Sequence, residues 1–185
     1  MNATDRSSDP APTIRPCTGP EEYPQLVGIW RSAVRATHGF LAEEDFARIE
    51  SLLASAYLPN VTLTVAELAG ETVGFAGVSE PEDEDEKPEE GEKPEEGKAG
   101  EGAALEMLFV ADAARGSGVG SALLERVVRE QAVTRVDVNE QNPGAHGFYL
   151  SRGFVQVGRS ELDGDGRPYP ILHLALPRDP STDRP

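Results

Sequence analysis

The stretch that decides the fold is Ala104 to Gln131, A-L-E-M-L-F-V-A-D-A-A-R-G-S-G-V-G-S-A-L-L-E-R-V-V-R-E-Q. It begins with an almost unbroken apolar run, Ala104 to Val110, the pattern of a strand buried on both faces. It continues through a glycine-rich turn, Arg115 to Gly120, into Val119 to Gln131, where Leu123, Val127 and their neighbours recur at helical spacing. Glycines let backbone approach a ligand closely, and free N–H groups at a helix start attract anions. Arg115 adds a fixed positive charge. A Walker loop would end in Gly-Lys-Ser/Thr, and Val119-Gly120-Ser121 lacks the lysine. A dinucleotide fingerprint would need a glycine where Ser121 stands. The loop by itself reads either as a phosphate or pyrophosphate site or as a tight turn capping a helix.

Working outward, Thr13 to Thr18 reads as a first strand. Tyr23 to His38 and Ala42 to Tyr57 read as helices, with Leu26, Ile29, Trp30, Ala33 and Val34, then Phe46, Ile49 and Leu53, on their apolar stripes. Val61 to Leu68 and Thr72 to Ser79 alternate around Gly70 as a hairpin. Downstream, Val133 to Asn139 is a strand. Asn142-Pro143 suits a helix N-cap and first position, with Gly153 past the helix end. Phe154 to Glu161 and Tyr169 to Leu176 are strands joined by Asp163-Gly164-Asp165-Gly166. The order predicts an α/β mixed sheet of about seven strands with four helices, parallel only across the two later helices.

The 33 acidic and 17 basic residues of the 185-residue chain leave a net charge of −16. Much of it lies in Glu80 to Gly102, which holds 12 acids, 3 lysines and a perfect repeat, Glu86-Lys87-Pro88-Glu89-Glu90-Gly91 and Glu92 to Gly97. With almost nothing apolar to bury, 80–102 is expected to be a disordered insert. Residues 1–12 and 178–185 are expected to be disordered tails, leaving one folded domain at 13–177. The acidic balance argues against nucleic-acid or anionic-membrane partners. The lone Cys17 excludes a disulfide framework and a Cys-rich zinc site, and no metal is expected. Without a signal peptide or an apolar run of about 20 residues, the reading is cytoplasmic.

Arg115, Gly118 and Gly120, followed by Asn142, Ala145, Tyr149 and the pair Gly153-Phe154, resemble the two motifs of the GNAT superfamily of N-acetyltransferases in spacing and order. The element order is similar too, so the resemblance covers about Thr13 to Leu176, with the acidic insert as its main departure. A closer likeness, to the bacterial YjaB-type subgroup, rests on Ile29-Trp30, Ala36-Thr37-His38, Val138 to Asn142 and Gly166 to Pro170.

The resemblance implies the GNAT fold, acetyl-CoA as cosubstrate, and transfer of its acetyl group to a primary amine of a small molecule or peptide. It implies that the fourth and fifth strands splay and that pantetheine pairs with backbone of Leu108, Phe109 and Val110. The pyrophosphate would lie on N–H groups from Gly116, Ser117, Gly118, Val119, Gly120 and Ser121, beside Arg115. Asn142 would hydrogen-bond pantetheine or simply cap its helix. Tyr149 would protonate the leaving thiolate; a core tyrosine is the alternative. Glu106, a carboxylate inside an apolar run, is the candidate base, or it points to a solvated edge. His38 and Phe40 would line the acceptor pocket; Trp30 would do so or would fill the core. His38 is a lesser candidate base, and His173 reads as a packed core residue. The chain would be a monomer or homodimer. A noncatalytic acyl-CoA sensor on the same fold is the alternative function.

Overall fold

The computed structural model describes residues 11–79 and 102–177. The readings made for 1–10, 80–101 and 178–185, including nearly all of the acidic insert, lie outside the described residues. Seven strands form one sheet in the order β1-β2-β3-β4-β5-β7-β6. They are β1 (Thr13–Pro16), β2 (Thr62–Leu68), β3 (Glu71–Ser79), β4 (Ala103–Val110), β5 (Val133–Asn139), β6 (Val155–Ser160) and β7 (Ile171–Ala175). The helices are α1 (Tyr23–Thr37), α2 (Glu43–Leu52), α3 (Val119–Gln131) and α4 (Pro143–Leu150). Among the described residues only β4 and β5 pair in parallel, across α3.

Strand alternation separates two apolar clusters, one on each face. The first gathers Leu105, Val119, Leu123, Val127, Val136, Val138, Tyr149, Phe154, Leu172 and Leu174. The second gathers Leu26, Ile29, Trp30, Phe46, Leu53, Leu58, Val65 and Phe75. α1 and α2 thus cover the β2–β4 half of one face. Gly74 in β3 is what lets α3 seat closely: a Cβ there would lie 2.9 Å from Val119 Cγ1 and 3.0 Å from Phe109 O.

Several element ends shift by one or two residues, β1 closing at Pro16 rather than Thr18, and two shifts have a structural cause. α2 ends at Leu52 and continues as a π turn, Leu53–Tyr57, closed by Leu58 N–H on Leu53 O. The wider turn lets two residues five apart, Leu53 and Leu58, reach the same core. β7 begins at Ile171 rather than Tyr169, because Tyr169 reaches away to α2. Its hydroxyl donates to Asp45 Oδ2 at 2.6 Å and accepts from Ala42 N at 3.1 Å. Arg167 pairs with the same buried Asp45, and Arg48 pairs with Asp165 at 2.7 Å. The β6–β7 connection is therefore tied to the first turn of α2.

Candidate active site

The site starts from a register change in β4. Gly77 pairs with Met107 and Val78 with Leu105, so Glu106 is the extra residue of a bulge. Pairing with β5 covers only Ala103 to Leu105 and ends at Leu105↔Val136. Beyond that point Met107 to Val110 stays paired to β3 alone, and the sheet opens between β4 and β5. The backbone edge of Leu108, Phe109 and Val110 lines this opening. β5 continues on its other edge against β7, from Arg135 to Asn139.

The opening leads to the glycine loop. Gly116 and Gly118 hold φ of 81° and 85°, the left-handed region that glycine adopts without strain. A Cβ on either would meet nothing within 4 Å. The first hydrogen bond of α3 runs from Ala122 N to Gly118 O, and among the described residues the N–H groups of Gly118, Val119, Gly120 and Ser121 have no partner. They form the exposed positive end of a 13-residue helix. Ser117 differs, since its N–H and hydroxyl both turn back to Ala114 O. Arg115 is half exposed and lies 3.5 Å from Asp112. Arg152, which sequence reasoning missed, donates to Ser121 Oγ and stacks 4.0 Å over the Phe148 ring. It brings a second cation to the loop from the far end of α4. A strand, an opening and a cluster of free N–H groups are suited to an extended ligand ending in phosphates.

α4 supplies the next groups. Asn142 Oδ1 caps the helix by accepting from Ala145 N at 3.1 Å, so the capping role is realised. Tyr149 is 6% exposed, set edge-on between Phe148 and Phe154. Burial pushes its pKa above the ordinary tyrosine value. Its hydroxyl makes no hydrogen bond among the described residues, so the phenol keeps both its proton and its freedom to donate it.

Glu106 lies on the opposite face from Tyr149. Leu105 and Leu108 face the first cluster and Met107 faces the second. Glu106 is exposed and accepts from Ser79 Oγ at 2.8 Å. The solvated position expected as the alternative is thus realised, at the mouth of the opening. Tyr149 and Glu106 thus stand on opposite faces of the sheet, beside the gap.

The α1–α2 connection borders the same face. His38 Nδ1 is 2.7 Å from Thr37 Oγ1, which donates its own hydrogen to Ala33 O at 2.8 Å. The imidazole must therefore donate from Nδ1, leaving Nε2 as a bare acceptor. Burial lowers its pKa and favours this neutral form. Phe40 stands between the His38 and Tyr169 rings, at 5.2 and 6.1 Å. Trp30 does not join them. It is 3% exposed and packs 4.9 Å from Phe46, so its helical spacing served the core. His173, read as core, is a correction of the other kind. Leu172 and Leu174 face the first cluster, so His173 turns to the opposite face, where it meets Asp137 and Ser160. Strand alternation alone could have found this.

A family model described as an acetyltransferase (GNAT) domain matches residues 59–156. The chain belongs to the GNAT family. Within that family it is 36% identical over 158 residues to the peptidyl-lysine N-acetyltransferase YjaB of Salmonella typhimurium, covering 85% of this chain and 93% of that one. Against YjaB of Escherichia coli it is 37% identical over 156 residues, covering 84% and 90%. The solution structure of apo YjaB from E. coli superposes with a TM-score of 0.69 at 35% identity, covering 90% of this chain and 97% of that one. The PaiA N-acetyltransferase of Thermoplasma acidophilum, solved with coenzyme A, shares the fold with a TM-score of 0.65 at 16% identity. The chain is thus a GNAT N-acetyltransferase.

Proposed function

We propose that this enzyme transfers the acetyl group of acetyl-CoA to the side-chain amine of a peptidyl lysine by direct attack. The observation that carries the reading is the end of β4–β5 pairing at Leu105↔Val136, which frees the β4 edge as far as Val110, just ahead of the glycine loop. The relatives named as peptidyl-lysine acetyltransferases support the acceptor class. Acetyl-CoA supplies an activated thioester. Gly118 to Ser121, with Arg115 and Arg152, hold its phosphates, and the Leu108–Val110 backbone orients its arm.

A lysine amine with a pKa near 10.4 is neutral in only about one molecule in several thousand at pH 7. Glu106 takes its proton on one face of the sheet. Tyr149 gives a proton to the leaving sulfur on the other. His38, Phe40 and the tied β6–β7 connection border the path of the lysine side chain. The test is thiol release from acetyl-CoA with lysine peptides and a panel of small amines, with acetyl-lysine identified by mass spectrometry. Release with lysine peptides above the hydrolysis background is expected. Release with small amines only would move the acceptor to that class. Acetyl-CoA binding with no release for any amine would make the protein an acyl-CoA sensor.

Glu106→Gln keeps the size of the side chain and a hydrogen bond with Ser79. It is expected to lower kcat/KM for the peptide by about 10²-fold, the scale of general base catalysis. Calorimetry should show unchanged acetyl-CoA affinity. A variant with wild-type kcat/KM would remove Glu106 from the reaction.

A further inference from the structure

Three side chains form a hydrogen-bonded line across β5, β7 and β6 on the face that carries Glu106. His173 Nδ1 lies 2.8 Å from Asp137 Oδ1, and His173 Nε2 lies 2.7 Å from Ser160 Oγ. A neutral imidazole has one N–H, and beside a carboxylate that hydrogen belongs on Nδ1. Nε2 then accepts from the Ser160 hydroxyl. One oxygen of Asp137 is held, and the other has no partner among the described residues. The neighbouring cations are engaged elsewhere: Arg135 donates to Gly102 O, and Arg159 pairs with Glu140 and Glu161.

The position of Asp137 gives the line its meaning. Val136 is the last β5 residue paired to β4, and Leu105 is its partner. Asp137 follows Val136 as Glu106 follows Leu105. Val136 and Leu105 both face the first cluster, so both carboxylates turn to the other face, one on each side of the opening. Two residues further along the same side of β5, Asn139 Oδ1 is buried without a hydrogen-bond partner among the described residues. That strand thus also carries an acceptor suited to an incoming N–H.

The stoichiometry of the reaction calls for such a group. A primary ammonium has three N–H bonds and the amide product has one. Two protons leave the nitrogen, one proton is delivered to sulfur, and the net release is one proton to solvent. With Glu106 alone, one carboxylate would have to accept twice.

We propose that Asp137 is the second proton acceptor of the amine subsite, positioned by His173 and Ser160, and that with Glu106 it brackets the lysine ammonium at the opening between β4 and β5. The inference rests on the peptidyl-lysine reading above. The amine N–H breaks, its electron pair stays on nitrogen, its hydrogen bonds to the free oxygen of Asp137, and the resulting acid returns the proton to water, to which this side chain is 65% exposed. Glu106 likewise discharges to water and Tyr149 regains from water the proton it gave to sulfur, so one proton is released in all. His173 and Ser160 act through Asp137 and are positioning residues.

The experiment compares Asp137→Asn, His173→Leu and His173→Asn with the wild type on one lysine peptide, measuring kcat, KM and acetyl-CoA affinity. Asp137→Asn is expected to lower kcat/KM by about tenfold or more with acetyl-CoA affinity unchanged. His173→Leu is expected to lose as much. His173→Asn, whose amide can still donate to Asp137, is expected to recover most of that loss. Asp137 is exposed, so its variant reads the proposal even where His173→Leu fails to fold. Wild-type kcat/KM in Asp137→Asn would overturn the proposal. A His173→Asn variant as impaired as His173→Leu would overturn the positioning role. Acetyl found covalently on Ser160 would overturn it too, making the line a nucleophilic triad. If the wild type acetylates other amines but not peptidyl lysine, the acceptor reading fails by itself, and the same variants test Asp137 on the amine it does accept. A wild type that acetylates no amine overturns both.

Discussion

Tyr149→Phe is expected to lower kcat by about 10²-fold or more, with acetyl-CoA affinity and thermal stability close to wild type. The ring's packing against Phe148 and Phe154 is unchanged, and the lost hydroxyl has no partner among the described residues to leave unsatisfied. What disappears is the proton for sulfur. A phenol held above its ordinary pKa by burial is a weaker acid than a free tyrosine. The same burial disfavours a thiolate beside it, so both groups rise together and the transfer remains accessible. Because the raised pKa keeps the phenol protonated, the wild-type kcat should show no fall from this group below about pH 10. Steady-state kinetics across pH check both statements. A Phe variant with wild-type kcat would mean that water protonates the sulfur.

Gly118→Val should lower acetyl-CoA affinity by about tenfold or more, roughly 1.4 kcal/mol, as read by calorimetry. Two effects combine. Valine at φ 85° carries left-handed strain of about 1–2 kcal/mol, which shifts the loop or lowers stability. Its side chain also projects into open space beside the free N–H groups of Val119, Gly120 and Ser121. Gly118→Ala adds less bulk there and should lose less affinity. A folded Gly118→Val protein with unchanged affinity would show that the phosphates bind elsewhere.

Much of the fold was legible because each element carries its own punctuation. Asn142-Pro143 and Gly153 frame α4, Gly118 opens α3, and the apolar run of β4 could only be a central strand. The left-handed turn of the glycine loop was legible for the same reason, since glycine adopts it without strain; Tyr149 was singled out by its place in the motif that resembles the family. His173 and Trp30 were not. Trp30 had a stripe position that fits a pocket wall or a core equally well, and packing against Phe46 decided for the core. His173 sat between leucines, and the composition of its strand hid the fact that alternate residues face opposite sides.

The sequence by itself determined the elements, their order along the chain, the glycine turn at the start of α3 and the GNAT resemblance, because backbone propensity, hydrophobic period and turn chemistry act over a few residues. Only the tertiary structure decided where β4 parts from β5, that Glu106 sits in the bulge at that point, and that Asp137, His173 and Ser160 line up across three strands. Those facts depend on register between segments up to tens of residues apart. A one-residue bulge changes which face a side chain meets, and nothing within either segment alone specifies it.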